Sequence, residues 1–395
     1  MAATSMTGSV DVAVIGGGLI GASAAAHLAL TGRSVVLIER DEIASGASGR
    51  NSGVVQHPLD PVLVELHLET LHLYRALDGL TLPEAPVGLL YVTRDLDGAR
   101  RLSTALASSH PGLRPTFLPP DEVRRLEPAL APAVAACRLD IGYPVAPAAA
   151  TRAYAAWAQA LGVRIVLGSA ASVAIRPDGR IDGVVTGDGR RIATDDIVVA
   201  AGRWSPALVD PSGTWQPIRS SWGVVVPVTL RRPPVHVLEE AEISIEPGAG
   251  ASVTIADAAT ADDLDADHAF SLVTADGATS LGSTFLEAEP DAEATVPALI
   301  RRGATFVPAI ADAALGPARR CARPSSLDGR PLVGRVPGID RLWIAAGHGP
   351  WGISTGPATG RLVADLIDGR VATPPPGLDP ARFGHLPPSA VGARG

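Results

Sequence analysis

The N-terminal part of the chain alternates between apolar runs and a glycine cluster. Val10–Ile15 is apolar except for Asp11, and Ser34–Ile38 forms a second apolar run. Between them lie three consecutive glycines, 16–18, followed by an alanine-rich stretch. Short apolar runs of this length are typical of buried strands, and the longer alanine-rich stretch is typical of a helix. The pattern therefore predicts a strand, a tight turn, a helix and a second strand.

Apolar residues at helical spacing recur further along the chain. They run through His57–Leu80, and again from Ala148 to a stop at Gly162. The second of these helices leads into a strand, a pair of β runs and a further apolar strand that ends at Ala201 and Gly202. Helices that alternate with buried strands are typical of an α/β sheet.

The segment 213–320 has a different pattern, in which polar and apolar residues alternate and one helical stretch follows at Ala294–Ile310. Alternation predicts strands with one buried face, so we expect an antiparallel sheet capped by helices. The predicted strands are Trp222–Leu230, Ile243–Ile245, Ser252–Ile255 and Ser271–Thr274. A proline-rich stretch at 373–395 predicts a poorly ordered tail.

Composition narrows the class of protein. The chain has 395 residues, 46% apolar and 19% charged, which predicts a globular protein of two domains. Its net charge of −8 argues against a nucleic-acid partner. With only Cys137 and Cys321, and no basic segment before an apolar core at its start, we expect a cytoplasmic protein. The most apolar window, Val10–Leu30, contains Asp11 and His27, so no integral membrane contact is expected.

All 33 basic residues are arginine, because the sequence contains no lysine. A Schiff base with pyridoxal phosphate or a carbonyl substrate is therefore excluded, as is a phosphate-loop lysine. Asp263, Asp265 and Asp267 have the spacing that opens a calcium loop, but the glycine and the final glutamate of such a loop are absent. We interpret them as a solvated loop and expect no metal site.

The glycine cluster has the spacing of a dinucleotide-binding turn. Gly16 permits the tight turn, Gly18 lets the backbone approach a pyrophosphate, and Gly21 lets the helix pack on the sheet. Glu39 follows the second strand, where a carboxylate accepts hydrogen bonds from ribose hydroxyls and repels a 2′-phosphate. This pattern disfavours NADP, but by itself it leaves NAD and FAD open.

Two further segments distinguish these cofactors. Residues 44–53 are mostly small, with one cation, Arg50, and one amide, Asn51, so the backbone can pass close to an extended ligand. Residues 347–356 lead from a strand through glycines into a helix N-terminus, which favours anions. Both segments resemble the FAD-dependent oxidoreductases of the D-amino-acid oxidase, glycine oxidase and sarcosine oxidase superfamily, and they lie about 300 residues apart.

This resemblance implies an α/β fold in which a Rossmann-like FAD-binding domain of the glutathione-reductase type is interleaved with an antiparallel-sheet substrate domain. The FAD-binding domain would comprise 9–85, 145–212 and 321–372, and the substrate domain 86–144 and 213–320. Backbone N–H groups at the start of the last helix would stabilise the negative charge of the reduced flavin. Spacing and resemblance together predict cofactor contacts from Gly16, Gly18, Leu19, Ile20, Gly21, Glu39, Arg40, Ala47, Ser48, Arg50, Asn51, Gly53, Val173, Gly202, Trp204, Cys321, Gly349, Trp351, Gly352, Ile353 and Ser354.

The segment RRCARPSSLDGRPLVG, 319–334, resembles a substrate-binding segment of glycine oxidases and D-amino-acid dehydrogenases, although Ala322 and Ser326 replace its Leu and Thr. There an arginine at the position of Arg323 binds the substrate carboxylate, which suits a planar guanidinium. Cys321 has the spacing of the cysteine that forms a thioether with flavin in sarcosine oxidases. Other members carry a small residue there, so we expect non-covalent FAD and keep the covalent link as the alternative.

The resemblance implies oxidation of the C–N bond of a glycine-, sarcosine- or D-amino-acid-like substrate by hydride transfer to flavin N5. An imine would form, and oxygen would be the acceptor, giving hydrogen peroxide. Arg323 and Arg50 are the expected catalytic residues, no side-chain base is required, and Trp351, Trp222 and Tyr143 are candidates for the substrate pocket. The alternatives are a dehydrogenase that uses a quinone or another acceptor, and a non-catalytic flavin-binding subunit. The oligomeric state is left open.

Overall fold

Two large β-sheets organise the chain. A computed structural model describes residues 9–176, 178–241, 243–244, 252–253, 268–384 and 386. The three aspartates interpreted above as a solvated loop lie outside these residues, as do the predicted strand ends at 245 and 254–255.

The first sheet has six strands, all parallel except for the outermost antiparallel pair. In spatial order they are Leu332–Arg335, Leu342–Ala346, Thr194–Val199, Val10–Ile15, Val35–Ile38 and Arg164–Val166. Val12 and Val14 are buried on one face beneath helices, whereas Ala13 and Ile15 are buried on the other face. Burial on both faces explains why these strands are nearly continuous apolar runs.

Helices cover one face of this sheet, and a small antiparallel sheet lies against the other. The small sheet comprises Ala171–Ile175, Ile181–Thr186 and Arg191–Ile192. The α-helices of the described chain are Leu19–Leu30, Ala47–Arg50, Pro61–Arg75, Leu96–Ser109, Pro120–Leu126, Pro147–Ala160, Ser205–Val209, Ala292–Phe306 and Gly352–Ile367. Short 3₁₀ turns follow at Pro111–Leu113, Gly202–Trp204, Pro308–Asp312, Gly349–Trp351 and Pro380–Phe383.

The second sheet has nine strands and packs against the helix Ala292–Phe306. Its strands are Leu89–Thr93, Thr116–Leu118, Ala135–Leu139, Ile218–Thr229, Val237–Glu240, His268–Ala275, Ala278–Thr284, Ala314–Leu315 and Arg319–Ser326. All pairs are antiparallel except that of Val237–Glu240 with Leu89–Thr93. Two small ladders, Val54–Val55 with Tyr143–Pro144 and Ile243–Ser244 with Ser252–Val253, lie outside both sheets. The predicted fold class is confirmed, while the domain boundaries stay a prediction.

The strand Arg319–Ser326 pairs over its whole length with Ile218–Thr229 of the nine-stranded sheet. The predicted boundary at residue 321 falls inside this strand. The sequence does not predict a strand here, because the segment carries three arginines and a proline and lacks an apolar run. Its hydrogen bonds to a long neighbouring strand outweigh its weak local preference.

The predicted poorly ordered tail is wrong for residues 373–384. Leu378 is completely buried, and its carbonyl accepts a hydrogen bond from the Val333 N–H at 2.8 Å. Arg382 forms an ion pair with Asp328 at 2.7 Å and donates to the carbonyls of Arg330 and Pro331. Proline limits regular structure in this segment, but it does not prevent packing on the six-stranded sheet.

The first and last helices pack at a point of close backbone contact. A Cβ at Gly360 of Gly352–Ile367 would lie 2.6 Å from the Ala24 nitrogen and 2.7 Å from the Ser23 Cβ. Ser23 also donates a hydrogen bond to the Pro357 carbonyl at 2.9 Å. The approach of these two helices therefore requires glycine at position 360.

We expect Gly360→Ala to lower the free energy of unfolding by about 1–3 kcal/mol, because the added methyl group overpacks this contact. Gly112→Ala is the matched control, since a Cβ at Gly112 has open space around it. Denaturant unfolding of both variants measures the effect. Equal stabilities of the two variants would contradict the requirement for close helix packing.

Candidate active site

A long groove opens along the glycine turn at the carboxyl ends of the parallel strands. It encloses a cavity of about 320 Å³. Its walls come from the turn, the loop that contains Ser48, the turn at Gly202 and the strand Arg319–Ser326. The predicted cofactor residues that line it are Gly16, Gly18, Ile20, Glu39, Arg40, Ala47, Ser48, Gly202 and Trp204.

The geometry explains why glycine occupies each of the three predicted positions at the turn. Gly16 has φ +116°, and a Cβ there would lie 2.5 Å from the Ala200 carbonyl oxygen. A Cβ at Gly18 would meet the Ser48 hydroxyl at 3.1 Å, and one at Gly21 would lie 1.9 Å from the Gly16 carbonyl oxygen. The turn is thus free of side chains where it borders the groove, and the helix packs directly on it.

Polar side chains fix this turn. The Glu39 carboxylate accepts hydrogen bonds from the Gly17 N–H at 2.6 Å and the Asp41 N–H at 2.9 Å. The Ser48 hydroxyl accepts one from the Leu19 N–H at 3.0 Å, at the first residue of the helix. Each Glu39 oxygen has two lone pairs, so this carboxylate retains acceptor capacity toward the groove.

A smaller cavity of about 110 Å³ lies on the other side of the strand Arg319–Ser326. Successive side chains of a strand point to opposite faces. Ala322 and Pro324 accordingly line the groove, and Cys321 and Arg323 line this cavity, which we call the Arg323 cavity. Of the predicted site residues, Asn51, Gly53, Cys321, Arg323, Trp351, Ile353 and Ser354 line it.

Arg323 is partly buried as a residue, with its guanidinium turned into the interior, and no carboxylate pairs with it within the described ranges. Its Nη1 donates to the Thr284 carbonyl at 2.8 Å and its Nη2 to the Ser283 hydroxyl at 2.5 Å, while the ring of Phe285 lies 4.4 Å away. Burial lowers the pKa of Arg323. A guanidinium has five N–H donors, so donors remain for a ligand, and an anion in the cavity would compensate the buried charge.

The N-terminus of Gly352–Ile367 borders the same cavity through Ile353 and Ser354. The Ser354 hydroxyl accepts a hydrogen bond from the Gln56 N–H at 2.9 Å, and the Ile353 carbonyl accepts one from the Tyr74 hydroxyl at 2.8 Å. N–H groups in the first turn of a helix lack acceptors within the helix. This end of the helix therefore presents donors beside the cavity.

His348 lines the groove where the strand Leu342–Ala346 leads to this helix. Burial lowers the pKa of His348 to about 3, so the ring is neutral. One ring nitrogen, Nε2, is 3.0 Å from the Thr359 hydroxyl, and Nδ1 has no partner within the residues described. His348 belongs to the glycine-rich segment 347–356 but was not predicted as a site residue.

Several predicted site residues lie away from these two cavities. Trp222 and Tyr143, predicted for the substrate pocket, do not line the Arg323 cavity. Trp222 packs against the Arg203 guanidinium at 5.0 Å, and the Tyr143 hydroxyl accepts a bond from Arg75 at 3.4 Å. Their strands direct these side chains into other packing, and contact of either residue with the substrate stays a prediction.

The remaining predicted residues do not line either cavity. Arg50 is exposed and lines neither cavity, although its charge acts on the Cys321 thiol. Val173 is also absent from the groove, where the preceding residues Ser169–Ala171 contribute instead. Leu19 and Gly21 lie in the helix beneath the turn, and Gly349 and Gly352 flank Pro350 and Trp351 without lining a cavity themselves.

Glu239 and Gln56 were missed by the sequence analysis, and both line the Arg323 cavity. They are joined by a hydrogen bond of 3.1 Å from the Gln56 Nε2 to a Glu239 carboxylate oxygen. The sequence does contain a signal for them, because two glutamates follow Val237 and Leu238 in the strand Val237–Glu240. A charged side chain in a largely buried strand usually has a specific partner or function.

These features define a dinucleotide-binding protein in which an arginine without a carboxylate partner among the described residues lies beside the cofactor groove. Residues 11–366 match the model of the DAO family, described as FAD dependent oxidoreductase. The chain belongs to this family, and FAD is its cofactor. The groove fits FAD, because the side-chain-free turn, the Glu39 carboxylate and the unpartnered His348 nitrogen provide a cradle, an acceptor and a polar contact.

Individual relatives agree with the family. Glycine oxidase of Pseudomonas aeruginosa is 29% identical over 394 residues, covering 95% of this chain and 98% of that protein. The crystal structure of glycine oxidase from Geobacillus kaustophilus superposes with a TM-score of 0.75 at 25% identity, covering 96% and 100% of the two chains. The structure of L-proline dehydrogenase from P. horikoshii gives a TM-score of 0.77 at 22% identity, covering 96% and 99%, and shows the shared fold. No described helix is both long and apolar enough to cross a membrane.

We expect Glu39→Ala to weaken FAD binding about 10- to 100-fold, because it removes a charged acceptor at the groove and two bonds that fix the turn. Asp41→Ala is the control, since Asp41 is an exposed carboxylate two residues away. Titration of the apoprotein with FAD, followed by flavin fluorescence, gives both dissociation constants. Equal values would contradict the assignment of Glu39 to cofactor binding.

Proposed function

We propose that this protein oxidises the C–N bond of a small amino acid or amine of the glycine, sarcosine or D-amino-acid type. The observation that carries this proposal is the Arg323 guanidinium, which is buried in a small cavity beside the FAD groove. No carboxylate of the described residues pairs with it. The family and the glycine oxidase relatives support the same reaction class.

Arg323 is held ready to bind a carboxylate. Its two bonds to Thr284 and Ser283 fix the guanidinium plane, and the ring of Phe285 packs on its face. Gly223 leaves room for it, because a Cβ there would lie 2.6 Å from Nη2. A fixed plane can hold a carboxylate through two parallel hydrogen bonds, which orients the substrate's Cα–H bond.

Bound FAD supplies the two-electron acceptor for the C–N bond, and the protein supplies position and charge. The cavity of about 110 Å³ has room for a small acid. Donors at the start of Gly352–Ile367 lie beside it and favour negative charge that develops during the reaction. Arg50 lies outside the cavity, so we assign it to the surrounding field and not to substrate contact.

Oxygen is the electron acceptor that we propose, with hydrogen peroxide as its product. A dehydrogenase that passes electrons to a quinone or another acceptor is the second candidate, because the same fold occurs both in glycine oxidases and in an L-proline dehydrogenase. Arg323 argues against a non-catalytic flavin-binding subunit, because such a subunit has no need for a buried carboxylate site.

The reaction is tested by mixing the purified flavoprotein with glycine, sarcosine, D-amino acids and cyclic secondary amines. Bleaching of the flavin band without air, followed by peroxide release in air, is the expected result. Bleaching that is reversed only by an artificial acceptor would identify a dehydrogenase. A flavin that no amine reduces would reject the proposed oxidation.

We expect Arg323→Lys to lower kcat/KM for the amino acid about 100-fold, because an ammonium keeps the charge but loses the two-point geometry. Arg320→Lys on the same strand is the control, since Arg320 is exposed and pairs with Glu289 at 2.9 Å. Steady-state kinetics of both variants measure the effect. Similar kcat/KM values would remove Arg323 from substrate binding.

We expect FAD to be bound without a covalent link to Cys321. The thiol is buried, and burial raises its pKa against the smaller opposing effects of Arg323, Arg50 and Arg319, so the reactive thiolate is disfavoured. Acid precipitation should release all the FAD into the supernatant. Yellow precipitate that becomes colourless in Cys321→Ser would establish the thioether instead.

A further inference from the structure

Glu239 lies in the Arg323 cavity but has no place in the carboxylate site. It belongs to the strand Val237–Glu240 and faces the cavity lined by Arg323, Trp351 and Ser354. Its carboxylate accepts one hydrogen bond from Gln56 and forms no ion pair with any residue that the structure describes. Three charged side chains therefore line the cavity: Glu240, which is paired with Arg302, and Arg323 and Glu239, which have no ion-pair partner among the described residues.

The neighbouring Glu240 is a carboxylate of the same strand whose charge is neutralised by an arginine. It binds Arg302 through two hydrogen bonds of 2.5 and 2.9 Å and accepts another from the Phe270 N–H. Glu239 has only the neutral amide of Gln56. Keeping an ionised carboxylate away from water without a cation costs free energy. A role that requires the negative charge is therefore the simplest explanation for Glu239 at this position.

The position of Glu239 is fixed from two directions. Gln56 donates from its side chain to Glu239 and from its backbone to Ser354, which joins the glutamate to the helix N-terminus beside the cavity. The backbone of Glu239 is fixed in the sheet, where it is paired with Tyr91 of the parallel strand. Gln56 is thus a positioning residue, and Glu239 is directed toward the cavity.

We propose that Glu239 binds the ammonium group of the amino acid whose carboxylate Arg323 binds, and that it accepts one of the ammonium protons. This inference rests on the proposed function and deepens it, because it assigns the second charged group of a zwitterionic substrate. Arg323 and Glu239 would together select ligands that carry both charges over those that carry one.

The proton transfer is balanced within the cavity. An N–H bond of the ammonium breaks, its electron pair stays on nitrogen, and an O–H bond forms on Glu239. No electrons leave the substrate in this step. Transfer converts a buried ion pair into two neutral groups, which a cavity of low polarity favours, and it frees the lone pair that forms the C=N bond during oxidation.

The surroundings of Glu239 determine the direction in which its pKa shifts. Burial raises its pKa to about 7, against the opposing effect of the Gln56 hydrogen bond. The other titratable groups nearby are Tyr91 and Cys137, both with pKa values raised by burial, the paired Glu240, and Arg323 with Cys321 across the cavity. Arginine stays charged, and the tyrosine and the two cysteines stay neutral near neutrality because burial raises their pKa values, so Glu239 is the group that we expect to change charge there.

The test compares glycine with acetate, which differ by the amine, on the reduced holoenzyme without air, so that glycine is not consumed. Calorimetric titrations run from about pH 6 to about pH 8, on both sides of the pKa of about 7. In the wild type, glycine should bind more tightly as the pH rises and Glu239 ionises. Acetate should bind more weakly over the same range, because the new negative charge repels it.

In Glu239→Gln both pH trends should disappear, and glycine affinity at about pH 8 should fall about 10- to 100-fold while acetate affinity does not fall. Glu239→Asp should restore the opposite trends. Glu287→Gln, the same change at an exposed site, should behave as the wild type does. The flavin spectrum and the Tm of each variant show that it has folded and bound FAD.

The proton position has its own measurement. At about pH 8, glycine binding to the wild type should produce the infrared band of a protonated carboxyl group, and Glu239→Gln should lack it. A ¹⁵N-glycine spectrum that stays that of an ammonium, without this band, would overturn the proton transfer. Unchanged glycine affinity in Glu239→Gln would overturn the whole assignment of Glu239. In that case, loss of both glycine and acetate binding in Arg323→Lys would still support the proposed function. A wild type that binds neither ligand would reject both.

Discussion

The register of the strand Arg319–Ser326 against Ile218–Thr229 determines where the two cavities lie. Ser221 is paired with Arg323 and Gly223 with Cys321, which directs these two side chains to the face where Gly223 leaves space for a guanidinium. A slip of one residue would turn Arg323 toward the FAD groove and Pro324 toward the substrate. The whole site depends on the long ladder that prevents such a slip.

A second link joins the two sheets across the site. Gln56 follows a short strand near the six-stranded sheet, yet it binds Glu239 of the nine-stranded sheet and Ser354 of the last helix. Gln56 therefore connects the last helix, through its backbone N–H, with the strand that carries Glu239, through its side-chain amide. Buried polar networks of this kind specify one arrangement, because a shift of any member leaves another unsatisfied.

The sequence predicted the FAD groove well because its signals are local. The glycine turn, Glu39 and the loop that contains Ser48 each need only their own neighbours to form, and the groove brings them together. The Arg323 cavity was harder to predict, since Gln56, Glu239 and Arg323 come from distant segments whose pairing no local pattern encodes. Trp222 and Tyr143 were predicted as pocket residues from their residue type alone, which does not determine where a strand directs its side chains. The helix Leu96–Ser109 was also missed, although Asp95 caps it and Leu102 and Leu106 are buried.

The segment after residue 372 has a consequence for how the chain can be handled. Arg382 holds Asp328 and the carbonyls of Arg330 and Pro331, a few residues after Arg323, while Leu378 fills the core beside Val333. A truncation that removes this proline-rich end would therefore release the turn that follows the substrate-binding strand, and a fusion partner is better attached after residue 386 than in place of this segment.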